Sequence, residues 1–283
     1  MPIENVSDTA RWVAYYRAME TKRPDAIFRD PYAERLAGTQ GKEIVDTMPK
    51  GRALDWPMIV RTKVLDEMIT NAIRSRGADL VVNLAAGLDA RPWRMDLPSD
   101  LRWVDVDLPG ILNYKTEKLA GEQPRCRYEA VTMDLTDKRA RQALFAQLGR
   151  SAQRALVVSE GLLIYLPAQE VETLSRDLRA TPSFHWWLFD LANPWVMKMM
   201  SKTWGKTVKE GNAPFLFAPA EGPDFFVPQG WRAAEVHAMM DEAERLNRTM
   251  KMTWLMKLSM HFVPKKALEQ MRNGSRFVLL EQA

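Results

Sequence analysis

The chain has little of what several kinds of chemistry require. Its single cysteine, Cys126, excludes an intramolecular disulfide and a cysteine-rich zinc site, and fits a reducing, cytoplasmic setting. It has three histidines, His185, His237 and His261, and no HExxH or related spacing, so no metal site is expected. No stretch approaches about 18 uninterrupted apolar residues, so no membrane span is expected. Met1–Asp8 has no basic segment leading into an apolar core, so no secretory signal is expected. Charge of one sign is also scarce: 40 Lys and Arg against 36 Asp and Glu leave +4, with both signs interspersed. That surplus forms no basic patch and no appended RNA module, so no nucleic-acid partner is expected.

What is present is ordinary globular material with one bias. Hydrophobic residues make up 46% and charged residues 27%, which excludes disorder. The bias is 10 Trp and 17 Met, large adaptable apolar surface suited to lining a pocket. Short apolar runs at Asp79–Leu84, Leu101–Val106, Arg127–Met133, Ala155–Ser159 and Phe184–Phe189 alternate with helical patterns at Gly110–Ala120, Asp137–Leu148 and Ala168–Arg179. That alternation predicts an α/β fold with a doubly wound, mostly parallel sheet covered on both faces.

Before the first strand the pattern is helical. Asp30-Pro31 predicts an N-cap with Pro at N1 and Gly38 a stop, and a longer helix is expected over Trp56–Arg76 before Gly77. After the fifth strand, Asn193–Gly205 is rich in Met and Trp and Asn212–Gly230 in Pro and Gly. Helices are expected at Ala233–Asn247 and Met250–Phe262, and a last strand at Ser275–Leu280. The expected organisation is one domain: a helical cap (1–77), a cofactor-binding core (78–192), a lid-like acceptor-side insertion (193–265) and a terminal strand region (266–283).

Ligands of open α/β sheets lie outside the carboxyl ends of the strands, so residues at those ends carry the functional expectation. The loop Asn83-Leu84-Ala85-Ala86-Gly87-Leu88-Asp89 follows the first strand with small residues that admit a ligand close to the backbone. It lacks a full GxGxxG, which argues against a dinucleotide pyrophosphate. Asp107, at the end of the second strand and 20 positions after Gly87, is placed to accept hydrogen bonds from ribose hydroxyls; Asp105 is the competing acid. Asp134-Leu135 follows the third strand and Glu160 ends the fourth. Any one of these acids is also a natural helix cap or turn residue, but Gly87, Asp107, Asp134 and Glu160 converge at four successive strand ends.

The segments VVNLAAGLDARPWR, WVDVDLPGILNYK, VTMDLTD and LVVSEGLLIYLP, with TARWVAYYRAME and FRDPYAERL before them, resemble the leucine carboxyl methyltransferase family over residues 7–175. The resemblance implies a class I methyltransferase fold and S-adenosyl-L-methionine as cofactor. It implies that Gly87 lies beneath the cofactor, Asp107 binds its ribose, Asp134 and Leu135 flank its adenine, and Glu160 lies near its methionine moiety. Arg61, in VRTKVLDEM, matches a family arginine that pairs with the cofactor carboxylate, and Arg11 aligns loosely with a second basic contact. The chain departs from the family at Ala85, where glycine is usual, and at Ala90, where threonine is usual.

The expected function is methyl transfer to an oxygen of a small molecule, a carboxylate or acidic hydroxyl of a polyketide-like metabolite. An ionised carboxylate needs no general base, whereas a phenol or alcohol benefits from one. Among the histidines, His261 is the best-placed candidate base; His185 reads as a strand residue and His237 as a helix-surface residue. The apolar stripe Met252, Leu255, Met256, Met260 and Val263 reads as core packing or as a deformable acceptor wall. Alternatives are a protein carboxyl methyltransferase, an RNA methyltransferase or RNA-binding protein, and a catalytically idle scaffold. Nothing in the sequence identifies the acceptor or the oligomeric state.

Overall fold

The computed structural model describes residues 6–48, 51, 54–210, 213–250 and 265–283. Strands β1 (Leu80–Leu84), β2 (Arg102–Asp107), β3 (Arg127–Thr132), β4 (Ala155–Ser159), β5 (Phe184–Ala192), β6 (Trp231–Ala238) and β7 (Ser275–Gln282) form one seven-stranded sheet in the order β3-β2-β1-β4-β5-β7-β6. The first five pair in parallel, while β7 runs antiparallel to both β5 and β6. This is the doubly wound, mostly parallel sheet that the alternating segments predict.

Among the described residues three helices precede the sheet: α1 (Val6–Thr21), α2 (Ala33–Thr47) and α3 (Trp56–Arg74). Those that follow are α4 (Arg91–Arg94), α5 (Pro109–Lys118), α6 (Lys138–Arg150), α7 (Ala168–Arg179), α8 (Pro194–Glu210), α9 (Met239–Arg245) and α10 (Lys265–Arg272). Alternation along β1 sends Leu80, Val82 and Leu84 to one face, in a cluster with Leu144, Phe145, Val171 and Leu174 of α6 and α7. It sends Val81 to the other face, in a cluster with Val60, Val64, Met68 and Ala72 of α3. Because helices cover both faces, β1 and β4 are buried at every position, which is why both read as unbroken apolar runs. β1 pairs with β2 on one side and β4 on the other, so the chain's winding reverses there and leaves a crevice at the carboxyl ends.

Several local expectations change. Gly38, expected as a stop, is instead a kink inside α2, with φ 59° and ψ −166°. Asp30 does not begin that helix, which starts at Ala33; one carboxylate oxygen accepts from the Tyr32 backbone N–H at 3.1 Å and the other from Arg17 Nε at 2.9 Å. The Met- and Trp-rich run after β5 is helical, because the Asn193 side chain accepts from the Val196 N–H at 2.8 Å and Pro194 takes the first turn.

The expected helix over Ala233–Asn247 is a strand followed by the seven-residue α9. Its alanines favour a helix locally, but β7 leaves an open edge whose backbone groups need partners, and Trp231, 1% exposed, anchors β6 there in the core. The 193–265 segment therefore supplies an edge strand as well as helices. The Met252–Val263 stripe, the expected Met250–Phe262 helix beyond Met250, and His261 lie outside the described residues.

Candidate functional site

The strand-end residues collect at the carboxyl edge of the sheet, beside the β1–β4 crevice. After β1 the chain turns through two left-handed residues, Ala85 at φ 54° and Gly87 at φ 50°. A non-glycine residue pays a steric penalty there of about 1–2 kcal/mol, and Ala85 stands where the family resemblance places glycine. Gly87 is confined for a different reason: a Cβ added to it would lie 3.1 Å from the Ala10 Cβ of α1, which crosses over the loop.

Asp107 spans the ends of β1 and β2. Its Oδ2 accepts from the Gly87 N–H and its Oδ1 from the Leu108 N–H, both at 2.7 Å. Burial raises its pKa, partly offset by those two N–H donors. A carboxylate has about four lone-pair sites, so two remain for hydroxyl donors. Asp105, the competing acid, is 0% exposed and belongs to the core. It accepts from Lys115 Nζ at 2.5 Å, Trp103 Nε1 at 2.9 Å and Asn83 Nδ2 at 3.1 Å, which leaves it no face toward a ligand.

At the end of β3, Asp134 is exposed and Leu135 half-buried against the core. The Asp134 Oδ1 accepts from the Thr136 N–H at 2.9 Å and hydroxyl at 2.8 Å, and these bonds hold its carboxyl below the usual range. Its Oδ2 accepts no hydrogen bond among the described residues. The cap of α6 is Asp137, whose side chain accepts from the Ala140 N–H at 3.0 Å.

Glu160, at the end of β4, sits between two guanidinium groups. Its Oε1 accepts from Arg61 Nε at 2.9 Å and its Oε2 lies 2.8 Å from Arg91 Nη1. Burial alone would raise this carboxyl, but Arg91 and Arg61 outweigh it and hold it below the usual range. Arg61 also reaches Asp190 Oδ2 of β5, at 3.3 Å. Burial opposes its charge, yet Asp190 and Glu160 prevail and its pKa is raised.

Sequence reasoning missed the rest of this assembly. Arg91 bonds Asp66 Oδ1 at 2.6 Å and Asp89 Oδ2 at 2.7 Å; Arg94 takes both Asp66 oxygens at 2.7 Å. Arg94 also lies 3.8 Å from Asp30, whose other partner Arg17 donates to the Leu88 carbonyl at 2.6 Å. A chain of buried ion pairs thus runs from the helical cap through α3 and α4 to the strand ends. The available signal was the density of charge in LDARPWR beside apolar strands, but the partners are dispersed along the sequence, and spacing does not reveal them.

The remaining candidates lie elsewhere. Arg11 stacks over the Tyr114 ring at 3.8 Å, on the α2–α5 side. His185 packs beside Trp186, and His237, expected on a helix, lies on β6 with Glu242 and Glu235 as partners. The edge therefore offers acceptors for a vicinal diol at Asp107, a free carboxylate oxygen at Asp134, and a buried guanidinium at Arg61. These suit a nucleoside carrying an amino-acid-like, zwitterionic tail.

A family model described as leucine carboxyl methyltransferase matches residues 10–178. A relative from Mycobacteroides abscessus, named "Putative S-adenosyl-L-methionine-dependent methyltransferase", is 35% identical over 187 residues, covering 62% of this chain and 61% of the relative. A Frankia alni protein of the same description is 37% identical over 176 residues, 59% of this chain and 61% of the relative. The matches thus span about three fifths of these curated relatives. Among solved structures, a DUF574 family protein from Streptomyces avermitilis aligns with TM-score 0.61 at 13% identity, covering 97% of both chains. A Thermobifida fusca protein aligns with TM-score 0.59 at 15% identity, covering 100% of this chain and 96% of the other. Both share the fold.

Proposed function

The chain belongs to the leucine carboxyl methyltransferase family, and on that footing we propose that it is an S-adenosyl-L-methionine-dependent O-methyltransferase acting on a small molecule. The observation that carries this reading is the convergence at one sheet edge of the Gly87 turn, the Asp107 carboxylate bound to it, and the buried Arg61–Glu160 pair. When bound, S-adenosylmethionine supplies a methyl group already activated on a sulfonium. Asp107 receives the ribose hydroxyls, Asp134 and Leu135 border the adenine, and Arg61 receives the carboxylate of the methionine tail. Glu160 orients Arg61 through its Nε and leaves the far edge of the guanidinium for that carboxylate.

With an activated methyl in place, the protein's work is to align the acceptor oxygen and exclude water. A carboxylate acceptor fits this division of labour, since it is ionised near neutral pH and asks no proton transfer of the site. The family's name also attaches to carboxyl acceptors. In this reading the described part of the 193–265 segment nearest the strand ends, where Phe215 packs beside Tyr165, serves as the acceptor-side wall, and the buried free thiol of Cys126, pushed up to about 11 by burial, suits a cytoplasmic protein. Among the described residues no helix is long and apolar enough to cross a membrane.

The test combines calorimetric titration with S-adenosylmethionine and incubation of the protein with methyl-labelled cofactor and panels of carboxylic acids and phenols. Binding together with label in a base-labile methyl ester is the expected result. No binding at millimolar cofactor overturns the enzyme reading, and label confined to RNA or protein overturns the choice of acceptor.

A further inference from the structure

The Arg61 side chain is 10% exposed, yet it uses only part of its hydrogen-bonding fork. Nε is committed to Glu160 at 2.9 Å, Nη1 reaches Asp190 Oδ2 at 3.3 Å, and Nη2 donates no hydrogen bond among the described residues. The Nη edge is the one that binds a carboxylate through two parallel hydrogen bonds, and a single contact at 3.3 Å leaves that capacity mostly unused. Gly161 borders the same edge: a Cβ there would lie 3.1 Å from Nη1 and 3.5 Å from Nη2. Asp190 itself is held from the other side, its Oδ1 accepting from the Gly161 N–H at 2.6 Å. It therefore has one firm bond to the loop and one loose bond to Arg61.

We propose that Asp190 is a positioning residue that holds the Nη edge of Arg61 in the absence of ligand and yields it to the carboxylate of the incoming cofactor. This rests on the reading of Arg61 as the ligand of that carboxylate. Glu160 keeps the guanidinium in plane through Nε while the outer edge changes partner. Asp190 stays anchored by the Gly161 N–H after the exchange, so the loop carrying Glu160 need not move. Internal competition of this kind lowers apparent affinity by the fraction of time the edge is taken.

The test is calorimetric titration of wild type and Asp190→Asn with S-adenosylmethionine and with S-adenosylhomocysteine, after both proteins are shown to be folded. Asparagine keeps an acceptor for the Gly161 N–H and removes the competing charge, so Kd should fall about three- to tenfold. The fall should be equal for the two ligands, because they share the carboxylate and differ in the sulfonium charge. In an Arg61→Lys background the gain should vanish. Should the asparagine variant misfold, Asp190→Ser gives the same comparison. Unchanged or weaker binding of both ligands, or weaker binding of S-adenosylmethionine alone, overturns the proposal while leaving the cofactor reading intact. Failure of wild type to bind either ligand overturns that reading, and this one with it.

Discussion

At the carboxyl edge of β1, β4 and β5, charged side chains are buried or half-buried and paired with one another. Along β6 and α9, each pair has at least one member more than a third exposed: Arg232 with Glu281, Arg245 with Glu67 and Glu242, His237 with Glu242. A cleft of about 320 Å³ lies there, lined by Glu67, Asn71, Glu235, His237, Glu242 and Arg245. It holds titratable groups, yet it lies on the sheet's flank rather than at the topological switch point. The contrast teaches that burial, not the number of charges, separates a site from a surface. A buried charge requires a fixed partner, and fixed partners hold donors and acceptors in place before a ligand arrives.

The sharpest way to break this contrast is to remove a buried partner. Asp66→Ala leaves Arg91 and Arg94 without their shared carboxylate, and Asp105→Ala strands Lys115. Each should cost about 3–5 kcal/mol in denaturant unfolding. A loss below about 1 kcal/mol would place these pairs with the surface ones. Asp107→Ala should separate binding from stability: S-adenosylmethionine Kd should rise about tenfold or more, from lost charge-assisted hydrogen bonds of about 1.5–3 kcal/mol, with a smaller loss of stability than Asp105→Ala. Equal affinity in the folded variant removes Asp107 from the site.

Acid should distinguish the two regions as well. The Asp89 carboxyl is buried, which opposes ionisation, but Arg91 and Lys115 pull its pKa down to about 2. Since the folded value lies below the unfolded one near 3.9, its contribution is present above about pH 4 and is lost as pH falls toward 2, about 2.5 kcal/mol in all. Unfolding free energies measured across that window at low and high salt check this; the loss should depend little on salt, since buried pairs are screened least. A smaller effect, of opposite sign, is expected for Ala85→Gly: relief of the left-handed alanine against greater freedom of the unfolded chain should gain up to about 1 kcal/mol. The smallest belongs to the surface. Arg232 is 66% exposed, and Arg232→Ala should change unfolding by less than about 0.5 kcal/mol.

The sequence by itself determined the doubly wound core and which residues stand at its carboxyl edge. β1 and β4 read as unbroken apolar runs because both faces of a central strand are covered, and Gly87, Asp107, Asp134 and Glu160 follow from where such strands end. It also named Arg61, through resemblance rather than through any local pattern. The sequence preferred Asp107 to Asp105 by its place at the strand end; only the tertiary structure shows what separates them, two acids on one strand of which one faces Lys115 in the core and the other the Gly87 turn. The same holds for β6, whose alanines favour a helix until the open edge of β7 claims their backbone. It holds too for the Arg17–Asp30–Arg94–Asp66–Arg91–Glu160–Arg61–Asp190 chain, whose members come from three helices, two strand ends and a loop. Apolar periodicity is a local signal and survives in one dimension; the partner of a buried charge is chosen by long-range packing.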